Sequence, residues 1–119
     1  MRTTDDLTTL AREALGRLGV DEALLEGDLV ARSPLTGADL FGVRQHTTAG
    51  VADAVGRAHD AFGTWRTTPG PVRGALVKRL GELIAEHKED LAALVTIEAG
   101  KIHTEALGEV QEMIDICDF

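Results

Sequence analysis

Apolar residues recur at three- and four-residue steps through most of the chain after Thr47, and this helical periodicity most constrains the fold. The first run is predicted to begin at a cap on Thr48, and the second follows Pro71, which suits the first turn of a helix. The third run covers 89–98, and the fourth extends from about Thr104 to the end. Each run carries an apolar stripe: Val51, Val55, Ala58, Phe62 and Trp65; Val72, Leu76, Leu80, Leu83 and Ile84; Leu91, Leu94, Val95 and Ile97; Leu107, Val110, Ile114 and Cys117. Residues 47–119 are therefore predicted to be helical.

The first 27 residues predict a separate amino-terminal helical segment. Met1 is taken as the true start, and the caps available at 3–5 precede apolar residues in helical spacing. Gly19 ends this helix, and the acidic stretch 21–28 has room for one further turn.

A β-hairpin is predicted over residues 28–46. Strand-forming runs at 29–32 and 40–44 flank a turn that contains Pro34 and Gly37. Because two strands alone are marginal in water, this hairpin has to pack on another part of the protein. The chain is thus expected to be mainly α-helical with one hairpin.

Composition and charge exclude several classes of protein. The chain has 119 residues, enough for one small domain, and aromatic residues make up only 3% of them. Its net charge of -8 repels phosphate backbones, so we expect no nucleic-acid partner. It has neither an apolar run of membrane-spanning length nor a signal peptide, and its one cysteine forms no internal disulfide. A cytoplasmic protein without a membrane partner is expected.

The last helical run ends in a way that predicts a longer helix. Asp115 and Asp118 lie at the carboxyl end, where the helix dipole disfavours a negative charge by roughly 0.3–1 kcal/mol. No glycine, proline or basic residue closes the helix. We therefore expect that the helix continues and that the protein is truncated at Phe119.

Most residues with reactive side chains are interpreted as structural. Cys117 has two aspartates nearby and a late helix position, which disfavour a thiolate, so a buried structural cysteine is expected. The four histidines form no metal-ligand pair at helical spacing, and no metal site is predicted. There is no glycine-rich phosphate loop, so neither catalytic nor cofactor-binding residues are predicted in this chain.

An acidic row along the last helix allows two interpretations. It consists of Glu105, Glu109, Glu112, Asp115 and Asp118. One interpretation is a solvated helix face. The other is an inward-facing carboxylate, Glu109 or Glu112, that binds a cation, because apolar Met113 and Ile116 flank that side and indicate burial on two faces.

Four short motifs in order resemble the aldehyde dehydrogenase superfamily. They are S-P-L-T-G at 33–37, A-F-G-T-W-R at 61–66, Pro69 with Arg73, and E-A-G-K at 98–101. The end of the chain, G-E-V-Q-E-M-I-D-I-C-D-F at 108–119, is similar to a helix of the antiquitin group, as is V-R-Q at 43–45.

The resemblance implies an α/β enzyme with a Rossmann-like cofactor domain, of which residues 47–119 are the helical part. Antiquitin-type enzymes oxidise 2-aminoadipate semialdehyde, in equilibrium with piperideine-6-carboxylate, to 2-aminoadipate in lysine catabolism. The family's cysteine nucleophile, its water-activating glutamate and its NAD-binding strands lie downstream, so Cys117 is not the nucleophile and this chain alone is inactive. A homotetramer is expected for the intact enzyme.

One site residue carries over from the resemblance. The second glutamate of G-E-V-Q-E, Glu112, resembles a substrate-recognition residue that faces the ammonium end of aminoadipate semialdehyde. A carboxylate in an enclosed tunnel pairs well with an ammonium and discriminates against plain aldehydes. Two alternatives stay open: a self-standing helical interaction module, and an aldehyde dehydrogenase of another subfamily. NAD cannot be distinguished from NADP by these residues.

Overall fold

The computed structural model describes residues 3–119, and Met1, predicted as the start, lies outside them. The elements in chain order are α1 (Thr4–Arg17), a short 3-10 helix (Glu22–Leu25), β1 (Leu29–Arg32), β2 (Asp39–Val43), α2 (Thr48–Trp65), α3 (Gly70–Glu86), α4 (Lys88–Ala99) and α5 (His103–Asp118). The chain is mainly helical with one antiparallel hairpin, which confirms the predicted fold class.

Helix α1 forms where the capping residues predict it. The Thr3 hydroxyl accepts a hydrogen bond from the Asp6 amide, and the Asp6 carboxylate accepts one from the Thr3 amide, which makes a capping box. Helical geometry ends at Leu18, and Gly19 then turns the chain with a φ of 78°.

The hairpin packs on α1, as its marginal stability requires. Leu29 pairs with Val43 and Arg32 with Asp39, whose side chains also form an ion pair at 2.8 Å. On β2, Leu40 is buried and Phe41 lies under the Arg12 guanidinium, 5.5 Å from the ring centre. The β2 strand is therefore the one that joins the hairpin to the core.

Helix α4 lies between two small cores. On the α1 side, Ile97 packs with residues of α1 and β2: Leu7, Ala11 and Leu40. On the α5 side, Ala92 packs against Ala106 and Val110. Arg17 also binds Asp90 at 2.8 Å, so α4 is joined to α1 by an ion pair as well as by apolar packing.

Helix α2 forms as predicted, but its apolar stripe is not covered. The cap is Thr47 rather than Thr48, because the Thr47 hydroxyl accepts the Gly50 amide hydrogen bond. No residue of α2 is buried, and Phe62 is 54% exposed. Periodicity thus predicted the helix, whereas its apolar stripe stays largely exposed in the described chain.

Most of the predicted stripe of α3 is likewise uncovered, although its last residue, Ile84, packs against the core of Ala92, Ala106 and Val110. Leu76 and Leu80 are exposed, whereas Gly81 is the buried residue of this helix. A Cβ atom added to Gly81 would lie 2.8 Å from the Cβ of Cys117, so α5 approaches α3 where α3 has no side chain. Close approach at Gly81, together with the packing of Ile84, joins these two helices.

Candidate functional site

The hairpin turn packs against the turn between α4 and α5. Ser33 is fully buried, and its hydroxyl donates a 2.5 Å hydrogen bond to the carbonyl oxygen of Ile97 and accepts one from the Leu35 amide. Gly100 has a φ of 71°, and a Cβ atom there would lie 3.0 Å from Cγ of Pro34. The two turns are thus held together directly before α5 begins.

Lys101 is the first residue after this turn, and its side chain extends along the face of α5 that points away from α4, which is called the outer face here. Its ammonium forms an ion pair with Glu109. That hydrogen bond is the main reason that the pKa of Lys101 is raised, and the charges of Glu109, Glu105 and Glu112 add to it while partial burial opposes it. Sequence reasoning missed this pair, although a basic residue directly after a helix-ending glycine and before an acidic helix was the available signal.

Glu112 lies on the same face of α5 as Glu105 and Glu109. These three residues are spaced by four and three positions, which places them in one row along the helix. Glu112 is exposed and makes no hydrogen bond or ion pair to any residue from 3 to 119. Its role in substrate recognition stays a prediction.

The surroundings of Glu112 differ from the expected burial on two faces. Met113 is 47% and Ile116 is 72% exposed, so the second apolar side of α5 is open in the described chain. Gly108, one turn before Glu112, also has open space where a Cβ would be. Glu112 therefore borders an uncovered apolar strip formed by Met113 and Ile116, with free space beside it.

The opposite face of α5 is structural. Val110 is buried against α4, and the side-chain amide oxygen of Gln111 accepts a 2.7 Å hydrogen bond from the Lys88 ammonium. The Gln111 amide group in turn donates to Asp115 at 2.8 Å. The G-E-V-Q-E motif is thus divided between the two faces, with both glutamates outward and the residues between them bound to α4.

The other reactive side chains do not gather into a site. Cys117 is half-buried rather than buried, because it packs against Gly81 at the edge of the α3–α5 contact. His103 contacts Glu89 at 3.2 Å. Across residues 3–119, no group of three or more histidine, cysteine or acidic side chains is arranged to hold a metal ion. No described helix is both long and apolar enough to cross a membrane.

Comparison with known proteins assigns the family. The model of the aldehyde dehydrogenase family matches residues 24–119. Alpha-aminoadipic semialdehyde dehydrogenase of Bos taurus is 37% identical over 72% of this chain, and this match covers 16% of that protein. Aldehyde dehydrogenase family 7 member A1 of Pisum sativum is 37% identical over 73% of the chain and 17% of its own length.

A second kind of relative is equally similar. Malonate-semialdehyde dehydrogenase 2 of Geobacillus kaustophilus is 42% identical over 73% of the chain and 18% of its own length. The chain therefore spans about a sixth of the length of the curated relatives that it matches. Because the family model covers most of its residues, this chain belongs to the aldehyde dehydrogenase family.

Proposed function

We propose that this chain is the amino-terminal part of an NAD-dependent aldehyde dehydrogenase that oxidises 2-aminoadipate semialdehyde to 2-aminoadipate in lysine catabolism. The observation that carries the proposal is the free carboxylate of Glu112 beside the apolar strip of Met113 and Ile116. Relatives named for alpha-aminoadipic semialdehyde support it.

The chemistry of Glu112 suits this substrate. Aminoadipate semialdehyde carries an ammonium group, which an ionised carboxylate binds with a charge-assisted hydrogen bond. Its methylene chain can lie along Met113 and Ile116, which expose apolar surface next to Glu112. This chain would thus orient the end of the substrate that is remote from the aldehyde.

The remaining parts of the reaction belong to residues outside this chain. NAD, when bound, accepts the hydride of the aldehyde. The nucleophile and the cofactor-binding strands are expected downstream, so the 119-residue chain alone would be inactive. We further propose a cytoplasmic homotetramer for the complete enzyme.

A malonate-semialdehyde dehydrogenase is the second candidate, because such relatives match this chain with 42% identity. Malonate semialdehyde is a net anion without an ammonium group, whereas aminoadipate semialdehyde is a zwitterion, so Glu112 would repel malonate semialdehyde if the two met. The charge of Glu112 therefore favours the aminoadipate substrate over this alternative.

A self-standing interaction module is the third candidate, since the apolar faces of α2 and α3 are exposed. Reading the gene past Phe119 separates it from the enzyme proposal. A continuing frame that encodes a cysteine nucleophile and a glutamate supports the enzyme, whereas a stop codon directly after Phe119 favours the module.

The substrate is tested with the complete enzyme. We would measure the initial rate of NAD reduction with aminoadipate semialdehyde, malonate semialdehyde and hexanal, a plain aldehyde of matching length. The proposal predicts the highest kcat/KM for aminoadipate semialdehyde. A higher value for either of the other two aldehydes would contradict it.

A further inference from the structure

We propose that Lys101 is a specificity-determining residue of this site. Its ammonium pairs with the Glu109 carboxylate, so that only the Glu112 carboxylate is available to bind the ammonium group of the substrate. This inference rests on the proposed function of Glu112. It is carried by the ion pair between Lys101 and Glu109 and by the position of both residues on the face of α5 that holds Glu112.

The fold places Lys101 where a cation is otherwise unfavourable. Gly100 ends α4 in the left-handed conformation, and Lys101 therefore lies beside the amino terminus of α5. The positive end of the helix dipole disfavours a cation there. The acidic row over Glu105, Glu109 and Glu112 offsets this, and the raised pKa of Lys101 reflects the same attraction.

The other basic side chains near α5 make different contacts. Lys88 donates to Gln111 on the inner face, and His103 contacts Glu89 of α4. Among residues 3–119, Lys101 is therefore the cation that balances the outer face of α5. Because it pairs with Glu109, the two glutamates of G-E-V-Q-E differ in their availability.

This arrangement makes opposite predictions for the two partners. Without the Lys101 ammonium, Glu109 is released as a second free carboxylate, and attraction for a substrate ammonium increases. Without the Glu109 carboxylate, Lys101 is released beside Glu112 and competes with the substrate. Damage to packing alone would change both variants in the same direction.

The experiment uses the complete enzyme with Lys101→Met, Glu109→Gln and Glu112→Gln. KM and kcat would be measured for aminoadipate semialdehyde and for hexanal at low ionic strength. We expect KM for aminoadipate semialdehyde to fall about two- to fivefold in Lys101→Met and to rise by a similar factor in Glu109→Gln, with kcat and the hexanal constants unchanged. Lys88→Met is the matched control, because it removes a lysine of α4 that binds Gln111 on the inner face of α5.

If KM for aminoadipate semialdehyde shifts in the same direction in Lys101→Met and Glu109→Gln, or in neither, the proposed role of Lys101 is overturned. The Glu112→Gln variant tests the proposed function separately. If Glu112→Gln itself leaves the preference for aminoadipate semialdehyde intact, the proposed function fails first, and this inference fails with it.

A second readout uses the complete enzyme without any substrate. NMR titration of the Lys101 side chain should show that Glu109→Gln lowers the pKa of Lys101 more than Glu112→Gln does. A larger effect of Glu112→Gln would mean that Lys101 pairs with Glu112, which contradicts the proposal.

Discussion

The hydroxyl of Ser33 donates a hydrogen bond to the carbonyl oxygen of Ile97, 64 positions along the chain, at 2.5 Å. This contact joins the hairpin turn to the last turn of α4, and Pro34 rests on Gly100 beside it. Two of the sequence motifs that resemble aldehyde dehydrogenases, S-P-L-T-G and E-A-G-K, are therefore parts of one structural unit. That unit fixes where α5 begins and hence where Lys101 and Glu112 lie.

Ser33→Ala tests this unit. The substitution leaves the Ile97 carbonyl buried without its donor, which we expect to cost about 1–3 kcal/mol in the free energy of local opening. Hydrogen exchange should speed up at the Leu35 amide, which loses its acceptor. Thr36→Ala, in the exposed part of the same turn, is the control and should change exchange much less. Equal effects of both substitutions would show that the buried hydrogen bond contributes little.

Gly81→Ala tests the contact between α3 and α5. The new methyl group would meet the Cβ of Cys117 at 2.8 Å, and the overpacking should cost about 1–3 kcal/mol. Because α5 has to move away, the Cys117 thiol should react faster with a thiol reagent.

Gly74→Ala is the matched control on the same helix. A Cβ atom there would meet nothing within 4 Å, so this variant should stabilise α3 by about 0.5–1 kcal/mol through backbone entropy. If Cys117 of Gly81→Ala reacts with the reagent at the wild-type rate, as Cys117 of the Gly74→Ala control should, the close approach of α3 and α5 is contradicted.

Lowering the pH should weaken the contact between α1 and α4. The hydrogen bond from Arg17 lowers the pKa of Asp90, so this carboxylate is ionised more readily in the folded chain than in the unfolded one. Its stabilising contribution is fully present above the unfolded pKa of about 3.9 and is lost as the pH falls through the lower folded value.

The measurement is the helical circular-dichroism signal at a fixed temperature between about pH 6 and about pH 2, the range that spans ionised and protonated carboxylates. Asp90→Asn should remove part of the acid-induced drop, whereas Asp60→Asn, on the exposed α2, should not. An identical pH profile for wild type and Asp90→Asn would contradict the role of this pair.

The isolated chain should show a helical signal but a broad unfolding transition. Helix α2 has no buried residue, and its Val55 is 64% exposed, so it lacks the tertiary packing that normally stabilises a helix. Amides of α2 should exchange rapidly, while those of α4, which packs on both sides, should be protected. A sharp two-state melt of a monomer, with α2 as protected as α4, would contradict this expectation.

The secondary structure could be predicted from the sequence because it depends on local signals. Thr3 and Gly19 mark the ends of α1, and Pro71 and Gly100 mark the start of α3 and the end of α4. Apolar periodicity then identified each helix. The cap of α2 was missed by one residue because adjacent threonines offer the same chemistry.

Fewer of the tertiary contacts could be predicted, because they join residues far apart in the chain that share no local sequence pattern. The periodicity of α3 predicted its apolar face but gave no sign that Gly81 makes the close contact with α5. The row of glutamates was visible along α5, whereas the pairing of Glu109 with Lys101 depends on the path of the turn at Gly100. The division between a neutralised Glu109 and a free Glu112 therefore required the structure.

The most direct test of the central claim is the substrate preference of Glu112→Gln in the complete enzyme, with Glu105→Gln as a control for charge loss on the same face. We predict that Glu112→Gln lowers kcat/KM for aminoadipate semialdehyde about tenfold or more, as expected for a lost charge-assisted hydrogen bond, and leaves that for hexanal unchanged. Glu105→Gln should have a much smaller effect. An unchanged ratio of the two kcat/KM values in Glu112→Gln would contradict the account.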